Sequence, residues 1–207
     1  MSRNYRNSRT DRLIITWVPI WYSQGNPGKI GMTLCPGKFQ PWSMSGGWNR
    51  SMDLDIRELK KAEVGHVVSL VTTEEMQELE VMDLGKKLHA AGLTWYHLPT
   101  PDAEVPTDRW AIHSIRTIIK LMPNFSEGKR VIVHCKGGIS RAGIFTCIVI
   151  WLMTELPMSK AIEMVRDLRD RRGINKQQEQ YLLDFEVNYQ TWVEGICQMG
   201  QWREEMI

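Results

Sequence analysis

Short apolar segments alternate with amphipathic segments along most of the chain. The apolar runs are rich in β-branched residues and have the length of buried strands, at 13–18, 30–34, 66–71, 93–98 and 130–134. Between and after them, apolar residues recur at helical spacing over about 54–63, 72–91, 107–122, 141–155, 157–172 and 175–193. Strands that alternate with helices predict an α/β fold, in which a central, mainly parallel twisted sheet carries helices on both faces.

Capping residues mark several of the predicted helix starts. Asp53 is the predicted N-cap of the first helix, and Thr107 caps the helix that runs to about Met122. Thr72 and Glu75 form a capping box, which opens a helix that reaches Ala91 with or without a break. These signals place residues 99–106, with three prolines, in a loop between a strand and a helix.

Length and composition favour one domain with a full core. The chain has 207 residues, 43% hydrophobic and 24% charged, and we expect a single domain over residues 13–195. Residues 1–12 carry four arginines and almost nothing apolar, which predicts a disordered basic arm, with binding of phosphate or an acidic partner as the alternative. Residues 196–207 are a polar tail.

Charge and cysteine content narrow the class of protein. A net charge of +2 gives no strong sign of a nucleic-acid partner. The four cysteines have neither metal-ligand spacing nor a disulfide framework pattern. The sequence has no run long enough for a membrane span and no secretory leader, so we expect a cytoplasmic protein, whose oligomeric state stays open.

The candidate chemistry lies at the end of the last predicted strand, in the sequence RVIVHCKGGISRAG at 130–143. A β-branched run ends at His134 and Cys135, a glycine-bearing loop follows, and Arg141 starts an apolar helix. Successive loop N–H groups and the helix N-terminus bind anions, and the Arg141 fork can hold two oxygens of one phosphate. The same positive field favours the thiolate of Cys135, its nucleophilic form.

A plainer interpretation treats Cys135 as a buried small apolar residue in an ordinary strand-to-helix connection. The spacing His-Cys-x5-Arg at such a junction is more specific than either part alone. The loop is also not a nucleotide-binding P-loop, because no Gly-Lys-Ser/Thr follows its glycines.

Residues 134–141, here called the signature loop, resemble the signature loop of the cysteine-dependent protein phosphatases. The Ile-Ser-Arg ending is similar to the dual-specificity branch. The flanks resemble the subgroup of the kinase-associated phosphatase and its bacterial relatives, over roughly residues 30–187. The matching stretches are Arg50-x-x-Asp53-x-Asp55-x-x-Glu58-Leu59, Glu74-Glu75-Met76, Leu98-Pro99-Thr100-Pro101-Asp102 and Gln178-x-x-Tyr181-Leu182-x-x-Phe185.

The resemblance implies hydrolysis without a metal ion or other cofactor, through a phosphocysteine on Cys135. Arg141 is then the phosphate clamp that stabilises the transition state. Gly138 is the position at which a Cβ would crowd the ligand or the turn. His134 either orients the loop or is a plain core histidine. The predicted phosphate-binding loop comprises Lys136, Gly137, Gly138, Ile139, Ser140 and Arg141.

A leaving group of high pKa needs a proton, and Asp102 is the candidate general acid. It lies in the 99–106 segment, here called the acid loop, which could close over the site. Glu104 and Asp108 are the competitors, although Asp108 is also explained as a first-turn residue favoured by the helix dipole. By the resemblance, Gln178 positions the hydrolytic water, with Gln177 and Gln180 as neighbouring alternatives.

Two positions depart from the family pattern. Ala142 stands where a Ser or Thr usually follows the arginine, which puts hydrolysis of the phosphoenzyme in doubt. A lysine, Lys136, follows the cysteine, as it does in phosphoinositide phosphatases, but Ile139 stands where those enzymes usually have a second Lys. Arg50 is either a ligand of a second substrate phosphate or a surface arginine.

The expected activity is hydrolysis of phosphotyrosine, with phosphoserine and phosphothreonine as further substrates in proteins or peptides. The long loop that deepens the pocket of strictly tyrosine-specific relatives is not evident. The alternatives are a phosphoinositide or RNA 5′-phosphate phosphatase, and a phospho-binding module whose turnover is impaired by Ala142.

Overall fold

A five-stranded sheet forms the centre of the computed structural model, which describes residues 5–21, 27–43 and 46–198, the last four as backbone. Its strands are β1 (Thr16–Ile20), β2 (Gly28–Leu34), β5 (Val64–Ser69), β6 (Thr94–His97) and β7 (Arg130–Cys135). They lie in the order β1-β2-β7-β5-β6, and only the edge pair β1–β2 is antiparallel. β3 (Phe39–Gln40) and β4 (Trp48–Asn49) form a separate short antiparallel pair. The predicted mainly parallel sheet is confirmed.

Seven helices lie in the described residues: α1 (Met52–Lys61), α2 (Thr73–Glu78), α3 (Leu84–Ala90), α4 (Asp108–Ser126), α5 (Ser140–Met153), α6 (Met158–Leu168) and α7 (Lys176–Gln198). Helices α1–α3 cover one face of the sheet, and α4–α7 cover the other. The central strand β7 feeds both cores, because Val131 and Val133 pack toward α4–α7 while Ile132 packs toward α1–α3. No described helix is both long and apolar enough to cross a membrane.

The first strand and the first helix differ from the prediction. β1 runs from Thr16 to Ile20 instead of 13–18 and includes Pro19, which is tolerated because β1 is an edge strand. Ser51, not Asp53, caps α1, with its side chain accepting from the Leu54 N–H at 3.4 Å. Asp53 lies in the first turn, where it pairs with the half-buried Lys87 of α3.

The helix predicted over 72–91, with or without a break, is broken into α2 and α3. The capping box is confirmed: Thr72 Oγ1 accepts from the Glu75 N–H at 3.2 Å, and the Glu75 carboxylate accepts from the Thr72 N–H at 3.0 Å. Glu80 then adopts a φ of +58°, which ends α2 and lets the buried Val81 re-enter the core before α3.

Helix α4 continues past Met122 to Ser126, with Pro123 inside its last turn. A proline there removes a single helical hydrogen bond. Burial of the nearby Phe125 in the core favours the extra turn.

Residues 5–12 are not the disordered arm that their composition predicts. The Arg6 N–H donates to the Gly47 carbonyl at 3.0 Å, the Arg6 carbonyl accepts from the Asn49 N–H at 2.9 Å, and the guanidinium lies 4.8 Å from the ring centre of Trp48. These partners, 41 to 43 positions further along the chain, replace the apolar residues that the segment lacks. At the other end, α7 extends through Gln198, and 199–207 of the predicted tail lie outside the described residues.

Candidate active site

The signature loop joins the C-terminal end of β7 to the N-terminus of α5. Cys135 is the last residue of the strand and is 3% exposed. Its sulfur accepts a hydrogen bond from the Gly138 N–H at 3.2 Å. No side chain caps the first turn of α5, so the loop and the helix start present backbone donors around the sulfur.

Strand β2, which lies beside the loop, requires a glycine at position 138. Its φ is +68°, and a Cβ there would collide with the backbone carbonyl of Thr33 in β2. The crowding predicted at this position therefore comes from the neighbouring strand.

Arg141 is held almost rigid by partners from two distant segments. The side chain is 1% exposed, and both oxygens of Glu75 accept from its guanidinium, one at 2.8 Å from Nη2. The Thr100 carbonyl accepts from Nη1 at 2.8 Å. Its Nε is buried and has no hydrogen-bond partner in the described part of the chain, so a donor stays free for an anion in the loop.

Glu75 remains a carboxylate in this setting. Burial raises its pKa, but hydrogen bonds from Arg141 and from the Thr72 backbone outweigh burial and leave the pKa below its usual value. The capping box thus fixes the residue that orients the predicted phosphate clamp.

Among the three candidate acids, Asp102 is the one that reaches the site. Its Oδ1 lies 3.1 Å from Arg141 Nη2, its side chain is 61% exposed, and it lines a cavity of about 680 Å³ together with Cys135. Asp108 is the first residue of α4, and Glu104 contributes its backbone carbonyl to Gln178; neither side chain lines that cavity.

Gln178 bridges the signature loop and the acid loop. Its Oε1 accepts from the Ser140 hydroxyl at 2.9 Å, and its Nε2 donates to the Glu104 carbonyl at 3.4 Å. The side chain is buried, whereas Gln177 and Gln180 are exposed. Among these three glutamines the structure therefore brings Gln178 to the site, and its contact with a water stays a prediction.

His134 is a buried, neutral support. Burial lowers its pKa to about 3. Its Nε2 lies 2.6 Å from the Ser69 hydroxyl, which also accepts from Trp95 Nε1 at 2.7 Å. The histidine does not line the cavity. Its position therefore fits a residue that orients the loop or a plain core histidine, and does not fit proton transfer.

Arg50 is neither a surface residue nor a phosphate ligand. Its Nε and Nη2 each donate to the Asp55 carboxylate at 2.8 Å, and both side chains are fully buried. A third nitrogen, Nη1, donates to the Asp11 carbonyl. The pair ties the start of α1 to the N-terminal segment, a role that the sequence interpretation missed.

Two further charged residues escaped the sequence interpretation. Lys38 is buried beside the signature loop, where its Nζ donates to the Lys136 carbonyl at 3.1 Å. Arg169, in the C-cap of α6, donates from Nε to the Gly138 carbonyl at 2.9 Å. Neither belongs to a recognisable local motif, so only the tertiary contacts reveal them.

This fold and site define a cysteine-based dual-specificity protein phosphatase. A family model described as "Tc-R-P: Polymorphic toxin system, DSP-PTPase phosphatase" matches residues 44–156, more than half of the chain, and the chain belongs to that family.

The resemblance to the kinase-associated phosphatase is also confirmed. Cyclin-dependent kinase inhibitor 3 of Mus musculus is 27% identical over 177 residues, 83% of this chain and 77% of the relative. Tyrosine-protein phosphatase non-receptor type 13 of Homo sapiens is 28% identical over 126 residues, 59% of this chain and 5% of the relative.

Two solved structures share the fold at 19% sequence identity. Kinase associated phosphatase with a serine at its catalytic cysteine superposes with a TM-score of 0.73, covering 85% of this chain and 95% of that one. PTPMT1 in complex with PI(5)P gives a TM-score of 0.61, with coverage of 85% and 97%.

Proposed function

We propose that this phosphatase hydrolyses phosphotyrosine in proteins or peptides, with phosphoserine and phosphothreonine as further substrates, through a phosphocysteine on Cys135. The observation that carries the proposal is that two reactive groups line one cavity and a third contacts one of them. Cys135 and Asp102 both line it, and Asp102 lies 3.1 Å from Arg141. The reaction needs no metal ion, because the loop donors and Arg141 supply the positive field.

In the first step the Cys135 thiolate attacks phosphorus and the bond between phosphorus and the leaving oxygen breaks. Asp102 gives its proton to that oxygen. The loop N–H groups and the free Nε of Arg141 hold the equatorial oxygens, whose charge they stabilise in the transition state. Glu75 keeps the guanidinium in place during this step.

In the second step a water attacks phosphorus, its proton passes to the Asp102 carboxylate, and the sulfur–phosphorus bond breaks. Inorganic phosphate leaves, and the thiolate and the protonated acid are restored. Gln178 lies between the two loops that flank this water and is the candidate that orients it.

A phosphoinositide is the second candidate substrate. The cavity lining contains three cations, Lys38, Lys136 and Arg172, and two carboxylates, Asp102 and Asp170, of which Asp170 pairs with Arg172. The two lysines suit additional phosphates. PTPMT1, a structural relative, was solved with a phosphoinositide bound. Either substrate requires a reduced Cys135, so we place the protein in the reducing cytoplasm.

Turnover of a phosphopeptide panel and a phosphoinositide panel, in the presence of a chelator, tests the proposal. We expect phosphate release from phosphotyrosine peptides that is abolished by Cys135→Ser. Release from phosphoinositides alone would move the substrate to the second candidate. Activity that survives Cys135→Ser, or that needs an added metal ion, would overturn the phosphocysteine mechanism.

A further inference from the structure

Two cationic side chains, one in the cavity lining and one outside it, donate to backbone carbonyls of the signature loop. Lys38 Nζ donates to the Lys136 carbonyl at 3.1 Å, and Arg169 Nε donates to the Gly138 carbonyl at 2.9 Å. The Lys136 carbonyl also accepts the Cys35 N–H at 3.5 Å. The Lys136 carbonyl therefore faces the fully buried Cys35, and the Gly138 carbonyl faces Arg169, which does not line the cavity.

Because the peptide bond is planar, the direction of each of these carbonyls fixes the direction of the N–H group that follows it. In a trans peptide the C=O and the following N–H point in opposite directions. Holding the Lys136 carbonyl outward turns the Gly137 N–H inward, and holding the Gly138 carbonyl outward turns the Ile139 N–H inward. Gly137 and Ile139 both line the cavity, as this geometry requires.

Lys38 is fixed in its position by several contacts. The residue is 3% exposed, its Nζ also donates to Gln40 Oε1 at 2.8 Å, and it lies 5.3 Å from the ring centre of Trp48. A buried ammonium with carbonyl and amide partners has little freedom to move, so its charge stays beside the loop.

The charge of Lys38 acts directly on the site. The titratable and charged groups that face it are Cys35, Cys135, Lys136 and Arg50. Burial keeps Cys35 a neutral thiol by raising its pKa, and Arg50 is neutralised by its buried partner Asp55. A thiolate on Cys135 is then the anion that the Lys38 ammonium stabilises.

We propose that Lys38 is a positioning residue for the phosphatase reaction. It turns the Gly137 N–H toward the phosphate and places a fixed positive charge beside the Cys135 thiolate. Arg169 acts in parallel on the Gly138 carbonyl. The inference rests on the proposed use of Cys135 as the nucleophile.

A pH profile distinguishes this role from simple structural support. Burial lowers the pKa of Lys38 to about 8, so its ammonium is present below that pH and is lost above it. With an aryl phosphate whose leaving group needs no proton, Asp102 does not limit the rate. We therefore expect kcat/KM of the wild type to fall as the pH rises through about 8.

Three substitutions complete the experiment. Lys38→Met should lower kcat/KM at pH 7 by about 10- to 100-fold, since a charge-assisted hydrogen bond is lost, and should weaken competitive inhibition by inorganic phosphate. Lys38→Arg keeps its charge at all relevant pH values, so it should restore part of the activity and remove the decline above pH 8. Lys129→Met, at an exposed lysine paired with Glu127, is the matched control and should behave as wild type.

Unchanged kinetics in Lys38→Met, or the same decline above pH 8 in Lys38→Arg as in wild type, would overturn the inference. If Lys38→Met does not fold, the comparison of wild type with Lys38→Arg still decides it. If the wild type hydrolyses no phosphate ester, the proposed function fails. The inference is then judged from phosphate affinity alone, and equal affinity in wild type and Lys38→Met would overturn it.

Discussion

The Ser140 hydroxyl donates its only proton to Gln178 Oε1, at 2.9 Å, and so has no proton to offer the sulfur of Cys135. Two positions on, Ala142 is fully buried and carries no hydroxyl. In the family pattern, a Ser or Thr there bonds the departing sulfur. The relationship between Ser140 and Gln178 therefore bears directly on the second step of the reaction.

We expect breakdown of the phosphocysteine to be the slow step. With a chromogenic aryl phosphate, rapid mixing should show a burst of phenol near one equivalent per enzyme. Ala142→Ser should raise the steady rate by roughly ten- to a hundred-fold and diminish the burst, since a hydrogen bond to a charged acceptor contributes about 1.5–3 kcal/mol.

Ser140→Ala is the control for the Ser140 hydroxyl. Because that hydroxyl bonds Gln178 and not the sulfur, its removal should leave the burst near one equivalent, and any loss of steady rate should act through Gln178. The absence of a burst in the wild type, together with no gain from Ala142→Ser, would show that sulfur release is assisted in another way.

Arg141→Lys should reduce kcat by about 10²–10³, because a point charge cannot bond Glu75, Thr100 and a phosphate at once. Steady-state kinetics measure this loss. Near-normal turnover in Arg141→Lys would show that the arginine is not the phosphate clamp.

Cys135→Ser should abolish turnover and leave the affinity for inorganic phosphate near that of wild type. Steady-state kinetics and phosphate titration measure the two effects.

Asp102→Ala should lower kcat by about 10²–10⁴ on an alkyl or phenolic phosphate. The loss should shrink with a leaving group of low pKa, because that group departs without a proton. Asp108→Ala is the matched control at the start of α4. If Asp108→Ala shows the dependence on leaving group instead, the acid has been assigned to the wrong residue.

The buried His134 predicts loss of stability in mild acid. Its pKa is about 3 in the folded protein and near 6.5 when unfolded. Between these values the unfolded chain binds a proton that the folded protein does not, so the free energy of unfolding falls as the pH falls through this window.

Urea unfolding at pH 7 and pH 5 measures the effect. His134→Gln should be less stable than wild type at pH 7, because the contact with Ser69 is altered, yet lose less stability on acidification. A substitution of the exposed His89 should leave the pH dependence unchanged. An equal acid-induced loss in His134→Gln and wild type would mean that other groups cause it.

Features that depend on neighbouring residues could be predicted from the sequence. The buried run of β7, the glycine-bearing loop and the start of α5 are contiguous, so one stretch of sequence contains the proposed nucleophile, the anion-binding loop and the arginine. Hydrophobic periodicity likewise predicted the α/β class, and capping residues predicted the Thr72–Glu75 capping box. The same local patterns misplaced β1 and left the break between α2 and α3 open, because periodicity reports burial more reliably than it reports where a backbone turns.

Tertiary structure alone decided how the site is supported. Glu75 and Arg141 are 66 positions apart, and Lys38 and Lys136 are 98 apart. Sheet register and helix packing bring such pairs together. Neither the register nor the packing can be inferred from the residues that are adjacent in sequence to each member of a pair. The N-terminal segment shows the same limit, because Arg6 is ordered by Trp48 and not by its own neighbours. The sequence therefore determined the reactive groups, whereas packing decided which charged side chains hold them in place.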